Sequence, residues 1–365
     1  MVQPLSSRHL GSSLPELTVI IPTLNEAAHL PTLLEELQCQ QGIQVEIIVG
    51  DGGSRDATAA TARRSGVKVV QAPRGRGIQM NRAAAQARGT FLLFLHADSH
   101  LPDPSFLARA LAAFKAAGEA ASGGAVAGHF ALRFQRTRRD HPAAYRFLEA
   151  KTRLNRCNTT NGDQGFLLTR EFFFYLGGFS EELPWLEDQE LAEKIRSRGR
   201  WITLPGTLAT SARRFETQGF HSTYLLMSII MGTYSTGLRQ LFSRLPDVYA
   251  AAPKGGQTHG KLLLGPCFQA IRSIQREDLK GWAKARAWWR IGRYIRQNIW
   301  QIFYYLDVRT QPAAPWNQHP WLNFHDRRLA PVLANPLMDA MTGAACFMVI
   351  FGLLMPCYAL AERKS

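Results

Sequence analysis

Residues able to bind anions, hold a cation or move a proton occur in several short stretches of this sequence. One is His96-Ala97-Asp98-Ser99, reached through the apolar run 90–95. Such a run reads as a strand buried on both faces. Open parallel sheets place ligands outside the carboxyl ends of their strands, so His96 and Asp98 would be delivered into a crevice. A second is Asp51-Gly52-Gly53-Ser54-Arg55-Asp56-Ala57-Thr58, a polar turn directly after the β-branched run 45–50. A third is Arg74-Gly75-Arg76-Gly77, followed by Asn81. Glycines beside arginines at a helix start suit a phosphate, through backbone N–H groups and the helix dipole; a flexible loop with solvated arginines accounts for the same residues equally well. The last is Glu187-Asp188-Gln189-Glu190, whose carboxylates fall in the first turn of a helix. The macrodipole favours acids there, and acidic first turns are also ordinary.

Regular elements must bring these stretches together. The β-branched run 17–22, closed by Pro22, predicts a first strand. Asn25 is placed to cap a helix carrying Leu30, Leu33, Leu34 and Leu37, with Pro31 tolerated in its first turns. Strands follow at 45–50 and 67–70, separated by an alanine-rich helix, and the helix opened by Gly75 ends at Gly89. After the strand that leads to Asp98 comes a helix over about 105–117. This alternation implies a doubly wound, mostly parallel sheet. The glycine-rich stretch 123–128 breaks the pattern. Beyond it, Phe130, Leu132 and Phe134 alternate as in a half-buried strand. Residues 161–165 form a turn before a short strand at 166–169, and Leu176-Gly177-Gly178-Phe179 forms another. The helix entered at Leu186 runs through Ile195 and stops near Gly199.

The 365 residues suffice for one α/β domain and an extension, and a hydrophobic content of 46% marks a globular chain. A net charge of +15 favours anionic partners: nucleotide phosphates, nucleic acid or acidic lipid. The cysteines are odd in number, scattered and never spaced as CxxC, which argues against a disulfide framework or zinc site and for a reducing compartment. Residues 1–15 lack an apolar core of the signal-peptide kind, so the catalytic part reads as cytosolic.

Taken in order, Pro22-Thr23-Leu24-Asn25-Glu26, Asp51–Thr58 in the sequence quoted above, Gly75-Arg76-Gly77 with Asn81, His96-Ala97-Asp98, Gly177-Gly178-Phe179 and Glu187-Asp188 form a familiar series. The chain from about 17 to 220 resembles family-2 glycosyltransferases with the GT-A fold. Its His-Ala-Asp-Ser and Gly-Asp-Gln-Gly stretches look most like a small bacterial subgroup linked to arsenosugar biosynthesis. The resemblance implies an inverting transfer of one sugar from a nucleotide-diphosphate sugar to an acceptor hydroxyl. It implies that Asp51 accepts a hydrogen bond from the base, that Glu26 sits near the ribose or base, and that Arg76 and Asn81 flank the nucleotide. Asp98 corresponds to the last acid of the family's Asp-x-Asp, which holds Mg²⁺ or Mn²⁺ on the sugar diphosphate. Asp188 is the implied general base, with Glu187 beside it in the catalytic pair. This sequence departs from the family pattern twice. His96 replaces the first acid of Asp-x-Asp and reads either as a ligand or as a hydrogen-bonding residue. The Gln-x-x-Arg-Trp motif of processive synthases is missing, with Thr210-Ser211-Ala212-Arg213-Arg214-Phe215 in its place, so a single sugar is expected per event.

The implied organisation is a tail at 1–15, a GT-A domain at 16–240, a basic and aromatic helical extension at 241–336, and an apolar segment at 337–361. Arg272, Arg276, Lys280 and Lys284 are interleaved with Trp282, Trp288, Trp289 and Tyr294. That composition suits an interfacial helix on anionic lipid, or a helix packed on the catalytic domain with a solvated basic face; nucleic acid is the weakest of the three readings. Residues 340–361 carry no charge and are long enough to span a bilayer, to form a re-entrant hairpin or to be a buried helix. The stretch 224–237 reads as a core helix. The expectation is attachment at the cytoplasmic face of the inner membrane. Two rival functions are a sugar-phosphate nucleotidyltransferase and a non-catalytic membrane or nucleic-acid binding protein on a degenerate transferase domain. The first would want a glycine-rich loop with lysine after strand one, and the second would want Asp51, Asp98 or Asp188 lost.

Overall fold

Seven consecutive buried residues, Leu17–Thr23, form the central strand β1, parallel to β2 (Val45–Asp51) on one side and β4 (Phe91–Phe94) on the other. The computed structural model describes residues 14–121, 125–237, 282–311 and 318–349. The described residues divide into two units, the first comprising residues up to 135 with 149–211, the second 136–148 with 212 onward. The division therefore falls near 211, with a short excursion at 136–148, where the sequence had suggested a single block over 16–240.

In the first unit the order along the chain is β1, α1 (Leu30–Gln38), β2, α2 (Thr58–Arg64), β3 (Lys68–Gln71), α3 (Arg76–Ala84), β4, β5 (Ser99–His100), α4 (Phe106–Ala120) and β6 (Val126–Gln135). Helix α5 (Pro142–Lys151) straddles the division, and β7 (Phe166–Thr169), α6 (Arg170–Tyr175), α7 (Glu187–Arg198) and β8 (Arg200–Ser211) complete the unit. The sheet order is β3-β2-β1-β4-β7-β6-β8-β5. Strand β7 runs antiparallel to both β4 and β6, and the two-residue β5 antiparallel to β8, so the sheet is mostly parallel with one inverted strand at its middle and one at its edge. Alternate residues of β1 serve opposite faces: Val19 and Ile21 join Leu30, Leu33, Leu34, Phe106 and Phe114, while Ile20 joins Met80, Phe172, Leu191 and Ile195. Each such side chain, fully buried, contributes about 1.5–3 kcal/mol, so both faces bind helices firmly.

Two local expectations are corrected. Asn25 caps no helix: it adopts a left-handed conformation (φ 57°), its Oδ1 accepts from Arg55 N–H (2.8 Å), and α1 starts only at Leu30. Helix α3 ends at Ala84, and turns carry the chain on to Gly89, where a side chain would press on Thr18 N (2.6 Å).

The second unit is helical: α8 (Arg213–Gln218), α9 (Phe220–Ser235), α10 (Trp282–Asn298), α11 (Trp300–Thr310), α12 (Pro320–Phe324), α13 (Ala330–Leu333) and α14 (Pro336–Met348). Helices α10 and α14 meet backbone to backbone. A Cβ on Gly292 would lie 1.9 Å from Asp339 O, and one on Gly343 2.3 Å from Trp288 O. Arg296 and Asp339 form a buried ion pair at the same junction. Among the described residues no helix is long and apolar enough to cross a membrane. The apolar segment is seen as α14, and its continuation 350–361 lies outside the described residues, as do Arg272, Arg276 and Lys280.

Candidate active site

Strands β1 and β2 end level, Thr23 opposite Asp51, so the loops after them open at one edge. These loops are tied to each other: Asn25 N–H donates to Ser54 Oγ (2.9 Å), Ala27 N–H to Asp56 Oδ2 (3.2 Å) and Glu26 N–H to Thr58 Oγ1 (2.8 Å). Asp51 is buried and its carboxylate accepts from Gly53 N–H, Ser54 N–H and the Ser54 hydroxyl (3.2, 3.1 and 2.5 Å). In this structure Asp51 therefore organises its own loop. Half-buried Glu26 lies in the adjoining turn. Gln79, on α3, donates to Thr23 O (2.6 Å) and Gly50 O (3.0 Å) and pins that helix across the strand ends.

Helix α3 in turn meets the segment before α7. Asn81 receives Phe179 N–H (3.0 Å) and donates to Phe179 O and Glu181 Oε1 (both 2.9 Å), so its whole amide is spent on this clamp. That differs from the nucleotide-flanking place expected of it. Arg76, in the first turn of α3, lies 2.7 Å by its Nε from Glu187 Oε1, close in distance but off-axis for a hydrogen bond. Helix α7 begins with Leu186 in a left-handed conformation (φ 65°), which aims the next two residues inward: Glu187 is 2% exposed and Asp188 9%.

A turn from the other side of the sheet completes the group. Asn161 to Gly165 form a 3₁₀ turn closed by a capping box between Asn161 and Gln164. Gly162 N–H donates to Asp188 Oδ2 (2.7 Å), and Gln189 N–H donates to Asp188 Oδ1 (2.9 Å). Asp163 Oδ1 lies 2.8 Å from His96 Nδ1, which leaves His96 Nε2 facing the same space as Asp188. A Cβ placed on Gly162 would be 3.1 Å from Asp188 Oδ2 and 3.2 Å from His96 Nε2. Gln189 Nε2 donates to Thr160 O and Asn161 Oδ1 (both 2.7 Å), tying α7 to the turn.

The electrostatics follow from burial against pairing. Burial works against the Arg76 charge, yet Glu187, Asp188 and Asp163 outweigh it and raise the guanidinium's pKa. Burial likewise opposes an imidazolium at His96, and Asp163 overcomes it, so the pKa rises. Glu187 is held above the ordinary carboxylate range by burial first and the Asp188 charge as well, with Arg76 pulling the other way. Asp98 adds its charge to the His96 field. Among the described residues no three His, Cys, Asp or Glu side chains cluster as a cation cage.

The structure thus gathers Arg76, His96, Asp98, Glu187 and Asp188 at one sheet edge and sets Glu26 and Asp51 in the adjoining loops. Sequence reasoning missed Gly162, Asp163 and Gln164 as site residues. Their one signal was Gly-Asp-Gln-Gly itself, read there as a turn.

Residues 18–176, less than half of the chain, match the family model described as glycosyl transferase family 2, and the first unit that contains them has a mostly parallel sheet of GT-A type. Glu187 and Asp188 lie just beyond the matched segment. A PGL/p-HBAD biosynthesis glycosyltransferase of Mycobacterium bovis is 38% identical over 105 residues, 27% of this chain and 41% of that protein. The chain therefore spans less than half the length of that relative. Glucosyl-3-phosphoglycerate synthase from Mycobacterium tuberculosis, solved with Mn²⁺, uridine diphosphate and glucosyl-3-phosphoglycerate, aligns at 20% identity over 54% of this chain and 72% of its own, with a TM-score of 0.39. A mannosyltransferase from Pyrobaculum calidifontis, solved with GDP-mannose and Mn²⁺, aligns at 16% identity over 94% and 89%, with a TM-score of 0.44.

Proposed function

We propose that the protein is an inverting glycosyltransferase that moves one sugar from a nucleotide-diphosphate sugar to an acceptor hydroxyl, with Asp188 as general base. The observation that carries this reading is the posture of Asp188. Two backbone N–H groups fix its oxygens, and each oxygen keeps a lone-pair direction for an incoming O–H. Asp188 takes the acceptor proton as the acceptor oxygen attacks the anomeric carbon. The bond from that carbon to the diphosphate oxygen breaks on the opposite face, which inverts the configuration and releases the nucleoside diphosphate. Glu187 is occupied by Arg76, and Arg76, with 43% of its side chain exposed, presents its charge toward a phosphate. Asp51 and Glu26 belong to the loops proposed to receive the nucleoside, Asp51 chiefly by holding residues 52–54 in shape. Asn81 acts one step back, by fixing the segment that leads to α7.

The donor set fits a Mg²⁺ or Mn²⁺ that takes most of its ligands from water and diphosphate: Asp98 offers a carboxylate and His96 its Nε2, and the described residues supply no fuller cage. When bound, such a cation offsets charge on the leaving diphosphate. The contact between His96 and Asp163 joins the His-Ala-Asp-Ser and Gly-Asp-Gln-Gly stretches, which supports placing the chain in the bacterial subgroup linked to arsenosugar biosynthesis. A contact of the second unit with acidic lipid at the cytoplasmic face of the membrane belongs to the same proposal. Its support is the exposure of Arg136, Arg138, Arg139, Arg213 and Arg214, and of Leu337, Met341 and Met348 on α14.

The test is release of nucleoside diphosphate from a panel of nucleotide sugars, with and without Mn²⁺, supplied with lipid and hydroxyl acceptors. Asp188→Asn should lower turnover by roughly 10²–10⁴-fold with donor binding retained, and Asp98→Ala should weaken the Mn²⁺-dependent part. Full activity in Asp188→Asn would remove the base assignment, and no donor binding by the wild type would remove the transferase reading.

A further inference from the structure

Behind the turn that carries Gly162 and Asp163 lies a histidine that the proposed chemistry does not touch. His129, on β6, is fully buried, with Trp201 of β8 against its ring edge. Its Nδ1 is 2.9 Å from Gln164 Nε2 and its Nε2 is 2.5 Å from Asn155 Oδ1. The direction of these bonds follows from Gln164. The Gln164 Oε1 accepts Asn161 N–H (2.7 Å), which fixes that amide so that its nitrogen, a donor, faces His129. His129 Nδ1 also lies 3.3 Å from Phe130 O, but facing the nearer Gln164 nitrogen at 2.9 Å it accepts, and Nε2 carries the proton and donates to Asn155. The bonding requires one neutral tautomer. The two N–H groups of Gln164, also fully buried, are shared among three acceptors, His129 Nδ1 being the nearest, with Thr152 O (3.0 Å) and Phe130 O (3.2 Å) behind it.

We infer that His129 is a positioning residue: through Gln164 it holds the 161–165 turn at the register in which Gly162 N–H orients Asp188 and the Asp163 carboxylate orients His96. This inference rests on the reading of Asp188 as the base, but its structural half stands apart from it. The physical reason is that the turn is short and meets the reacting side chains through single hydrogen bonds. With its nearest acceptor lost, Gln164 would redistribute its N–H groups between Thr152 O and Phe130 O, and the Gly162 N–H would move with it. Burial, together with the Arg196 charge and against the bond to Asn155, lowers the His129 pKa and favours the neutral ring.

Two substitutions in the full-length protein separate the two bonds. In His129→Asn the side-chain oxygen reaches the place of Nδ1 and accepts from Gln164. In His129→Gln the amide nitrogen reaches the place of Nε2 and donates to Asn155, leaving Gln164 without its nearest acceptor. Amide hydrogen exchange, read by NMR, should show Gly162 exchanging at least about tenfold faster in His129→Gln with Ile20 and Leu93 unchanged, and near the wild-type rate in His129→Asn. In the transfer assay His129→Gln should lower kcat by about tenfold or more at unchanged donor KM, with His129→Asn largely restoring it. Equal Gly162 exchange in both variants would overturn the inference. So would faster exchange throughout β1 and β4 in both, which would assign His129 to the fold alone. Should Gly162 respond as expected while the wild type turns over no donor, the bracket stands and the reading of Asp188 fails.

Discussion

Asp163 decides what His96 can be. Burial by itself disfavours an imidazolium, so without a partner the ring would titrate below its ordinary value; the carboxylate 2.8 Å from Nδ1 reverses that. Asp163→Asn should therefore lower the His96 pKa, read from the ring protons by NMR. The linked stability has a definite sign. A histidine whose folded pKa is raised stabilises the fold fully below the unfolded value, near 6.5, and the contribution disappears as pH rises through the folded value. The stability gap between wild type and Asp163→Asn, from urea unfolding, should thus be wider at pH 6 than at pH 9, and a gap that widens with pH would contradict the pairing. At this scale the sequence exposed the charged members of the site, because Asp98, Glu187 and Asp188 stand at strand and helix ends where their residue type alone is informative. It hid Asp163, Gln164 and His129, whose roles come from contacts between residues far apart in the chain. It also misassigned Asn25, since an asparagine beside a helix start looks the same whether it caps the helix or shapes a turn.

At the level of elements, two glycines of similar appearance in the sequence have different duties. Gly77 in α3 would carry its Cβ 2.2 Å from Ser180 O, a backbone atom that cannot step aside without moving the whole segment before α7. Gly162 would carry its Cβ into the gap shared by Asp188 and His96, at 3.1 and 3.2 Å, where only side-chain atoms must give way. Gly77→Ala should therefore cost about 1–3 kcal/mol of stability and lower turnover as a consequence, since Arg76 moves with α3. Gly162→Ala should leave the melting temperature nearly unchanged and still reduce turnover by at least about tenfold, because the space between His96 and Asp188 is filled. Thermal melts paired with the transfer assay distinguish the two, and an active Gly162→Ala enzyme would show that substrate does not enter that gap. The same elements show how much of the fold was legible. The runs that became β1, β2 and β4 are apolar enough on both faces to have no other reading, and the acidic start and glycine stop of α7 mark its ends. The antiparallel course of β7 was not legible, because its four residues, Phe166–Thr169, are equally apolar in either direction. Nor was the left-handed Leu186, a conformation that costs about 1–3 kcal/mol for a residue other than glycine and that only the surrounding contacts impose.

Over the whole molecule, charge is distributed in a way that separates two kinds of lipid contact. The chain carries 43 Lys and Arg against 28 Asp and Glu, and within the second unit Arg138 and Arg139 stand exposed on a loop whose backbone is held in place. Thr137 and Arg138 N–H both donate to Glu216 Oε1 (2.7 and 2.9 Å), and Arg136 lies over the Tyr145 ring. A loop fixed in this way presents its arginines without a large ordering cost, and each basic residue close to an acidic surface is worth about 1 kcal/mol, screened over roughly 10 Å. Helix α14 offers something different: Leu337, Met341 and Met348 recur at helical spacing, all exposed, on a helix whose other side is committed to α10 through Gly343. If lipid is held by charge, the full-length protein should sediment with phosphatidylcholine vesicles that contain phosphatidylserine, not with phosphatidylcholine alone, and should be released by salt. Replacing Arg138 and Arg139 together with Gln should then weaken binding by roughly 30-fold, the equivalent of about 2 kcal/mol, with Leu337→Glu having little effect. Binding that ignores salt and the arginine pair but fails in Leu337→Glu would instead assign the contact to insertion of the α14 face. Binding to neither vesicle would remove membrane contact from the proposal and leave the transferase chemistry of the first unit untouched, since none of its site residues belongs to the second.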